Sequence, residues 1–392
     1  MEKRGMSFIK GALTGALVML LIVIAREQLL GKEIKIVDDE TNRKLESVRS
    51  LIDNYYLWAD DIDEDYMNEM LYVGYVAGLK EPYSAYYDAE ETREFRESSA
   101  GEFGGIGANL LSDADTKLVE IVHVHEDSPA EEAGINVGDF IYKVDGEIVA
   151  GEDMSAVISK IKGEVGTQVD ITVLRGELME EVTVTATRRI IVSISIDYEM
   201  KEDNIGYIFI SGFDEHTYEQ FEEALAWLEE QGMESLIIDL RNNGGGNLST
   251  VCHMLDLLLP EGIIVYTQDK EGQGDTFEST NERQFTKPLA VLTNGRSASA
   301  SEIFAGAVQD YQLGTIIGTT TYGKGLVQRT FDLKDGTSVK LTISEYFTPN
   351  GRNIHGIGIV PDIEIEYEYN EADESADNQL EKAIEIIKAK MQ

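Results

Sequence analysis

A single cysteine, Cys252, stands among the 392 residues. That excludes an intrachain disulfide and any zinc or iron–sulfur site built from several cysteines. Its setting, TVCHMLDLLL, is apolar and helix-like, as suits a small core residue rather than a reactive thiol. Histidine is scarce too, at five residues. None belongs to an HExxH or GxSxG pattern, which argues against a zinc peptidase and against a histidine-based nucleophile elbow. Positive charge is in short supply: 33 Lys and Arg face 73 Asp and Glu, a formal charge of −40. Such a surface repels phosphate backbones, so no nucleic-acid partner is expected. The acidic runs lack the spacing and central glycine of a calcium loop, and no metal or other cofactor is expected.

One apolar run opens the chain. MEKRGMSFIK carries Lys3, Arg4 and Lys10, GALTGALVMLLIVIA follows, and then comes Arg26. Basic residues ahead of an apolar core keep the start in the cytoplasm and send the remainder outside. The run is short for a full span, but snorkelling Lys10 and Arg26 can stretch it across a bilayer. No convincing small-x-small cleavage site follows. Residues 1–34 therefore read as an uncleaved membrane anchor and linker of a single-pass bacterial protein, its working part extracytoplasmic. Cleavage would make that part secreted instead.

A chain of this length holds two or three domains, and 42% hydrophobic with 27% charged residues is a globular composition. Residues 35–100 read as a helical segment. Leu45, Val48, Ile52 and Tyr55 form one stripe, Met67, Met70, Leu71 and Gly74 another, and ADDIDED separates them. These stripes need a partner surface, either the protein's own body or a second subunit. Together with the acidic tail strand they are the contacts through which a homodimer would form. Glycine-rich GEFGGIGANL opens the next unit, residues 101–189, a run of short strands around one helix. Its size and the order of its pieces resemble a PDZ domain. From residue 190 to 392 the pattern is strand–helix–strand. SLIIDL is a continuously apolar strand, as expected when both faces of a sheet are covered. The fold class is α/β multidomain.

The chemistry starts at GRSASASEIFAG, residues 295–306, where serines recur at every second position before a helical run. Ser299 and Glu302 have capping-box spacing, which alone explains a serine here. A nucleophile would need, besides exposure, a base and donors for an oxyanion. TTYGKGLVQ offers a base: Lys324 lies between Gly323 and Gly325, which let the backbone approach another segment closely. If the stretch is extended, Lys324, Leu326 and Gln328 share a face. At an ordinary pKa only about one lysine in two thousand is neutral at pH 7, so the site must be buried and poor in anions. Gln328 can accept a hydrogen bond from the amine without adding a charge. Taken alone, a lysine between glycines reads as a surface turn. DLRNNGGGNL offers donors, since main-chain amides of Gly244, Gly245 and Gly246 can converge on one small anion. A phosphate cradle would need a Lys-Ser/Thr that is missing here, and a plain turn is the remaining alternative.

Taken together, these motifs resemble the C-terminal processing peptidases, serine proteases with a Ser-Lys dyad. The resemblance covers nearly all of the chain beyond the anchor. It runs through GLKEPYSAYYDAEETREF, SSAGEFGGIGA, DSPAEEAGINVGDFIYKVDG, GYIFISGF, IIDLRNNGGG, SASASEIFAGAVQD, TYGKGLVQ and FTPNGRNIHGIGIVPDI. It implies a crotonase-like α/β protease core with an inserted PDZ domain. By the same resemblance Ser299 is the nucleophile, Lys324 the base 25 residues on, and Gln328 the residue that positions the lysine. The oxyanion donors would be the Ala300 amide and that of Gly245 or Gly246, since the family usually has proline where this chain has Gly244. Ser297 and Ser301 would serve local hydrogen bonding at the turn and cap. The PDZ-like unit would take the free C-termini of protein or peptide substrates at Ile106, Gly107 and Ala108 and gate access to the site. The implied function is a serine endopeptidase cleaving proteins near exposed C-terminal tails. Two rivals stand beside it: a catalytically silent PDZ adaptor, and serine chemistry with His355 as base.

Overall fold

Asp38 caps the first described helix: its carboxylate accepts from the Thr41 amide at 2.7 Å and starts α1 (Asp39–Tyr55). Arg49 on α1 reaches Asp53 at 2.7 Å and Glu64, the first residue of α2 (Glu64–Ala77). The stripe residues Leu45 and Val48 are exposed. The computed structural model describes residues 37–112, 117–280, 283–370, 373 and 376–391. The anchor expected over residues 1–34 lies outside them, and among the described residues no helix is long and apolar enough to cross a membrane. The described residues fall into two units, one ending at residue 70 and one beginning at residue 71, and every strand among them belongs to the second.

In that second unit a tight turn leads to β1 (Ala85–Tyr87) and α3 (Ala89–Ala100), which ends on left-handed Gly101 at φ 73°. Residues 35–100 are thus not helical throughout. Ala85 pairs across from Lys340, so this segment also supplies an edge strand to the core. The chain then leaves through β2 (Glu102–Gly105) and builds a second layer. This comprises β3 (Ala108–Ser112), β4 (Val119–Val124), α4 (Pro129–Glu132), β5 (Phe140–Val144), β6 (Glu147–Ile148), α5 (Met154–Ile161), β7 (Gln168–Arg175) and β8 (Glu180–Thr187). It returns through β9 (Arg189–Val192), which pairs antiparallel with β2. The sheet order is β3-β4-β5-β7-β8, with β6 on β5, so β3 lies at an edge. Val157 and Ile161 of α5 bury against Ile121, Ile141, Ile171 and Val173. Buried Arg188 donates to the carbonyls of Lys160, Ile161 and Gln168, and so fastens the end of α5 to the sheet.

The core follows in order as β10 (Ile196–Lys201), β11 (Ile205–Ile210), α6 (Thr217–Glu230), β12 (Ser235–Asp239), α7 (Leu248–Asp256), β13 (Gly262–Asp269), β14 (Thr276–Ser279) and β15 (Leu289–Thr293). Then come α8 (Ala300–Asp310), β16 (Thr315–Gly318), β17 (Leu326–Asp332), β18 (Ser338–Phe347), β19 (Ile363–Glu364) and α9 (Asn378–Met391). One sheet runs β10-β11-β12-β15-β16-β19, parallel from β11 onward. All residues of β12 and β15 are buried because side chains of alternate residues enter two cores. Leu236, Ile238, Leu289 and Val291 pack with Phe221, Val251 and Phe304, whereas Ile237, Ala290 and Leu292 pack with Ala383 and Ile387 of α9. A second, antiparallel sheet has the order β1-β18-β13-β14, with β17 on β18.

Neighbouring parallel strands β12, β15 and β16 end at the same sheet edge. The three loops that leave there, 240–247, 294–299 and 319–325, carry the glycine run, the serines and the lysine. Open α/β sheets place their ligand sites at this edge. Arg241, just beyond β12, is anchored by Asp239 at 2.6 Å and by Asp377 at 2.7 Å, which ties the approach to α9 to the first of these loops. Tyr207 donates its hydroxyl to the same Asp239 at 2.8 Å.

Candidate active site

The serine loop is stitched to the glycine loop by the residues flanking Ser299. Ser297 donates its hydroxyl to the Leu240 carbonyl at 2.8 Å, and the Ala298 amide donates to Asn243 O at 3.0 Å. Ser301 is not the helix cap expected for it: its hydroxyl donates to Asn243 O at 2.9 Å. Between these ties Ser299 adopts φ 55°, ψ −113°, a conformation that L residues rarely hold, at a cost of about 1–3 kcal/mol. It stands immediately before α8, and its amide donates to Glu302 Oε2 at 2.8 Å.

Glu302 is fully buried, and it collects the lysine loop as well. Thr321 Oγ1 donates to it at 2.6 Å, the Gly323 amide at 2.7 Å and the Lys324 amide at 2.8 Å. Tyr346 adds a second link, donating its hydroxyl to Lys324 O at 2.8 Å and to Ser299 O at 3.1 Å. The glycines flanking Lys324 let segment 355–358 lie against the loop. A Cβ on Gly325 would meet His355 N at 2.7 Å, and one on Gly323 would meet Ile357 N at 3.0 Å.

The Lys324 amine lies 4.9 Å from the centre of the Tyr83 ring. Burial lowers its pKa, the positive charge of Lys340 lowers it further, and Glu81 and Glu302 oppose both. Burial and a hydrogen bond with Tyr322 push the Tyr83 phenol up to about 12, so it stays neutral beside the amine. Gln328 donates through Nε2 to Thr342 Oγ1 at 3.2 Å, which leaves its carbonyl oxygen as the acceptor atom. Thr342 in turn donates to Glu81 Oε2 at 2.9 Å. Burial works against ionisation of Glu81, but hydrogen bonds from Ser84, the Tyr83 amide and Thr342 hold its carboxyl below the usual range. Leu326 and Gln328 lie two residues apart in β17, on one face, and Lys324 lies just before the strand, lining the same cavity. The register of β17 against β18 shifts between Val327 and Gln328, where Ile343 of β18 is the extra residue, so β17 itself keeps its alternation.

In the glycine loop Gly245 has φ 102° and Gly246 φ 151°. A Cβ on Gly245 would come within 2.8 Å of Ser299 Cβ and 3.0 Å of the Ala300 amide, so only glycine lets the loop approach the serine. The Gly245 amide donates to Asn243 Oδ1 at 2.8 Å, whose own amide group is held by Ile210 O. Ala300 opens α8, and its amide is one of those a helix start leaves without an intrahelical acceptor. Ser299, Ala300, Lys324, Gln328 and Gly244–Gly246 all line one cavity of about 870 Å³. Residues Ser155, Ile158, Ser159 and Lys162 from α5 and the segment after it line the same cavity. His355 is exposed and outside this lining, its amide donating to Asn353 Oδ1 at 2.9 Å.

The residues expected to take a chain terminus lie elsewhere. Ile106 is buried, its carbonyl accepting from the Ala130 amide at 2.8 Å. Gly107, at φ 76°, packs on Ser128 and lines a separate cavity of about 360 Å³ with His125 and Arg189. Ala108 starts the edge strand β3.

Peptidase family S41 matches residues 204–365, from the start of β11 through β19, and a PDZ domain matches residues 120–175. A carboxyl-terminal-processing protease of Synechocystis sp. is 35% identical over 319 residues, covering 80% of this chain and 75% of that relative. The chain belongs to peptidase family S41, among the carboxyl-terminal-processing proteases. A CtpA-like serine protease of Staphylococcus haemolyticus is 35% identical over 326 residues, 82% of this chain but 64% of its own length. The chain thus spans a little under two thirds of that relative. Among solved structures, the photosystem II D1 C-terminal processing protease superposes with a TM-score of 0.50 at 27% identity, over 90% of this chain and 98% of that one. An S41 protease structure from Bacteroides fragilis, 19% identical, shares the fold at a TM-score of 0.51 over 88% of this chain and 97% of that one.

The sequence marks Glu302 only as a capping acid, and its motifs do not single out Glu81, Tyr83, Thr342, Lys340 or Tyr346. Glu81 and Tyr83 fall in GLKEPYSAYYDAEETREF, one of the stretches that carry the resemblance, but that stretch does not name the lysine as their neighbour. Glu302→Gln keeps the shape but presents an NH2 to donors that now share two carboxylate oxygens. We expect a loss of about 3 kcal/mol in stability by urea titration, together with loss of peptide hydrolysis.

Proposed function

We propose that the protein is a serine endopeptidase that cleaves polypeptides near exposed C-terminal tails, with Ser299 as nucleophile and Lys324 as general base. The observation that carries this reading is the convergence of Ser299, Lys324 and the glycine run on one cavity, with the lysine's pKa lowered by burial. Neutral Lys324 takes the hydroxyl proton as Ser299 Oγ attacks the scissile carbonyl, and a C–O bond forms. The oxyanion receives main-chain donors, the Ala300 amide and one from Gly245 or Gly246. Because the Gly245 amide already has Asn243 Oδ1 as acceptor, Gly246 is the more readily available partner. Protonated Lys324 returns the proton to the leaving amine as the C–N bond breaks, and water then hydrolyses the ester by the same route. Gln328, held by Thr342, accepts from the amine and orients it without adding charge.

The PDZ-like layer would supply selection. A substrate's terminal carboxylate would meet the amides of the Ile106–Ala108 loop, while its last residues extend the sheet at β3. The wall that α5 gives the cavity supports a gating role for this layer. Residues 1–34 would hold the protein at the cytoplasmic membrane, with the site outside. Full-length protein should then pellet with membranes after a carbonate wash; recovery in the supernatant refutes the anchor.

The dyad is tested on a quenched fluorogenic peptide ending in a free, apolar carboxyl-terminal residue. Ser299→Ala and Lys324→Ala should each reduce kcat by about four orders of magnitude, while His355→Ala retains about half or more of it. Turnover by Ser299→Ala within about tenfold of the wild type, or a fatal His355→Ala, would refute the assignment; wild type that binds the peptide but never cleaves it would be an adaptor. The pH profile gives a separate check. A base must be unprotonated, so kcat/KM should rise with pH through the lowered Lys324 pKa, with its inflection below the ordinary lysine value of 10.5. An inflection at or above that value rules out a buried lysine as base.

A further inference from the structure

Asn247 occupies an unusual junction. It follows Gly246 and precedes α7, the position at which asparagine ordinarily turns its side chain onto the first helical amides, worth about 1 kcal/mol. Here it makes no such bond. Its side chain is turned away to Ser99: Nδ2 donates to the Ser99 carbonyl at 2.9 Å, and Oδ1 accepts from the Ser99 hydroxyl at 2.9 Å. Both halves of one amide are therefore committed to a single residue in another part of the chain. A helix left without its cap in favour of a distant clasp is a local rule broken, and such departures concentrate where function requires them.

The two sides of the clasp are different in kind. On one side, the Asn247 amide donates to the Phe213 carbonyl at 2.6 Å, and Gly246 pairs with Phe213 so tightly that a Cβ would strike that same carbonyl. This is the loop of glycines beside Ser299. On the other side, Ser99 lies in the last turn of α3, directly before the β2–β9 ribbon that carries the PDZ-like layer. The root of this ribbon is fixed by the Ser193 amide donating to Gly101 O at 2.8 Å, and by Glu102 Oε1 lying 2.8 Å from His216 Nε2. Ser99, Ser193, Asn247 and the three glycines line the same cavity as Ser299. A shift of the ribbon root by about 1 Å takes both clasp bonds beyond hydrogen-bonding range.

We propose that Asn247 is a positioning residue: through its clasp with Ser99 it makes the placement of the Gly244–Gly246 loop depend on how the PDZ-bearing ribbon is seated. The inference rests on reading the cavity as a protease site and identifies how the recognition layer is connected to the oxyanion donors. When the ribbon is seated, the clasp holds the loop in register with Ala300. When the ribbon moves, the loop loses this tether and the oxyanion loses a donor, although Ser299 and Lys324 remain tied through Glu302.

Asn247→Ser separates this role from an ordinary structural one. Serine caps α7 as well as asparagine does, but is too short to hold both groups of Ser99. The thermal midpoint should equal or exceed that of the wild type. On the fluorogenic peptide described above, kcat should fall about tenfold while KM stays within about twofold. Adding Ser99→Ala to Asn247→Ser should cause no further loss, because the two changes remove the same link. In a Ser299→Ala background, which prevents self-digestion, amide hydrogen exchange at 98–104 and at 242–248 should accelerate together. Unchanged kcat, additive losses, or a kcat loss matched by a lower thermal midpoint would overturn the proposal. So would exchange at the wild-type rate, a result that decides the clasp even if the wild type proves not to be a protease.

Discussion

The Glu302 carboxylate has no exposed surface, and its charge is met by four donors from two loops: the amides of Ser299, Gly323 and Lys324 and the hydroxyl of Thr321. A buried carboxylate without such partners would be prohibitively unfavourable, so the donors have little freedom to leave. The loops after β15 and β16 are thus obliged to meet at one point. The loop after β12 joins them through Ser297, Ala298 and Ser301. What makes this economical is the parallel sheet, which delivers all three loops to one edge before any side chain acts. The strained backbone of Ser299 is a consequence: it is held at φ 55° because its neighbours on both sides are bonded elsewhere.

The same carboxylate works against the chemistry it organises. Its charge, like that of Glu81, favours a protonated Lys324, and burial and Lys340 prevail against both. The bonds to Glu302 come from main-chain amides and a hydroxyl rather than from the lysine's amine, and Glu81 is likewise occupied by Ser84, Tyr83 and Thr342. Organisation and proton affinity are thereby kept partly separate. A folded chain that lowers the lysine's pKa binds that proton less readily than the unfolded chain does. Stability therefore increases with pH between the lowered value and 10.5, and below that window the site is a standing cost to the fold.

Ser299, Lys324 and the glycine run stand out in the sequence because each lies in a compact motif punctuated by glycines or small residues. The continuous burial of SLIIDL was also readable, since a strand covered on both faces has no polar alternation. Other features depended on long-range pairing and left no local trace. Glu81 and Tyr83 reach the lysine only because β1 pairs with β18, a partner about 250 residues away, and nothing in EPYS announces that neighbour. Gln328 shares a face of β17 with Leu326, as its spacing implies, but the Thr342 that holds it comes from β18. The position of Ser301 suits local hydrogen bonding at the helix cap, and its hydroxyl is instead held by a carbonyl contributed from another strand's loop. Local motifs bring these residues to notice; topology assigns their partners.

The pairing of β2 with β9 places the two ends of the intervening eighty-odd residues side by side, roughly 4.8 Å apart. The protease core therefore sees that long excursion as little more than a hairpin, and a folded insert with adjacent termini adds almost no loop-closure entropy to the host. A different recognition module with similarly spaced termini could be accommodated at the same two strands without disturbing the sheet beneath. The fold is in this sense a socket, and what is fitted into it can diversify while the hydrolytic machinery stays unchanged.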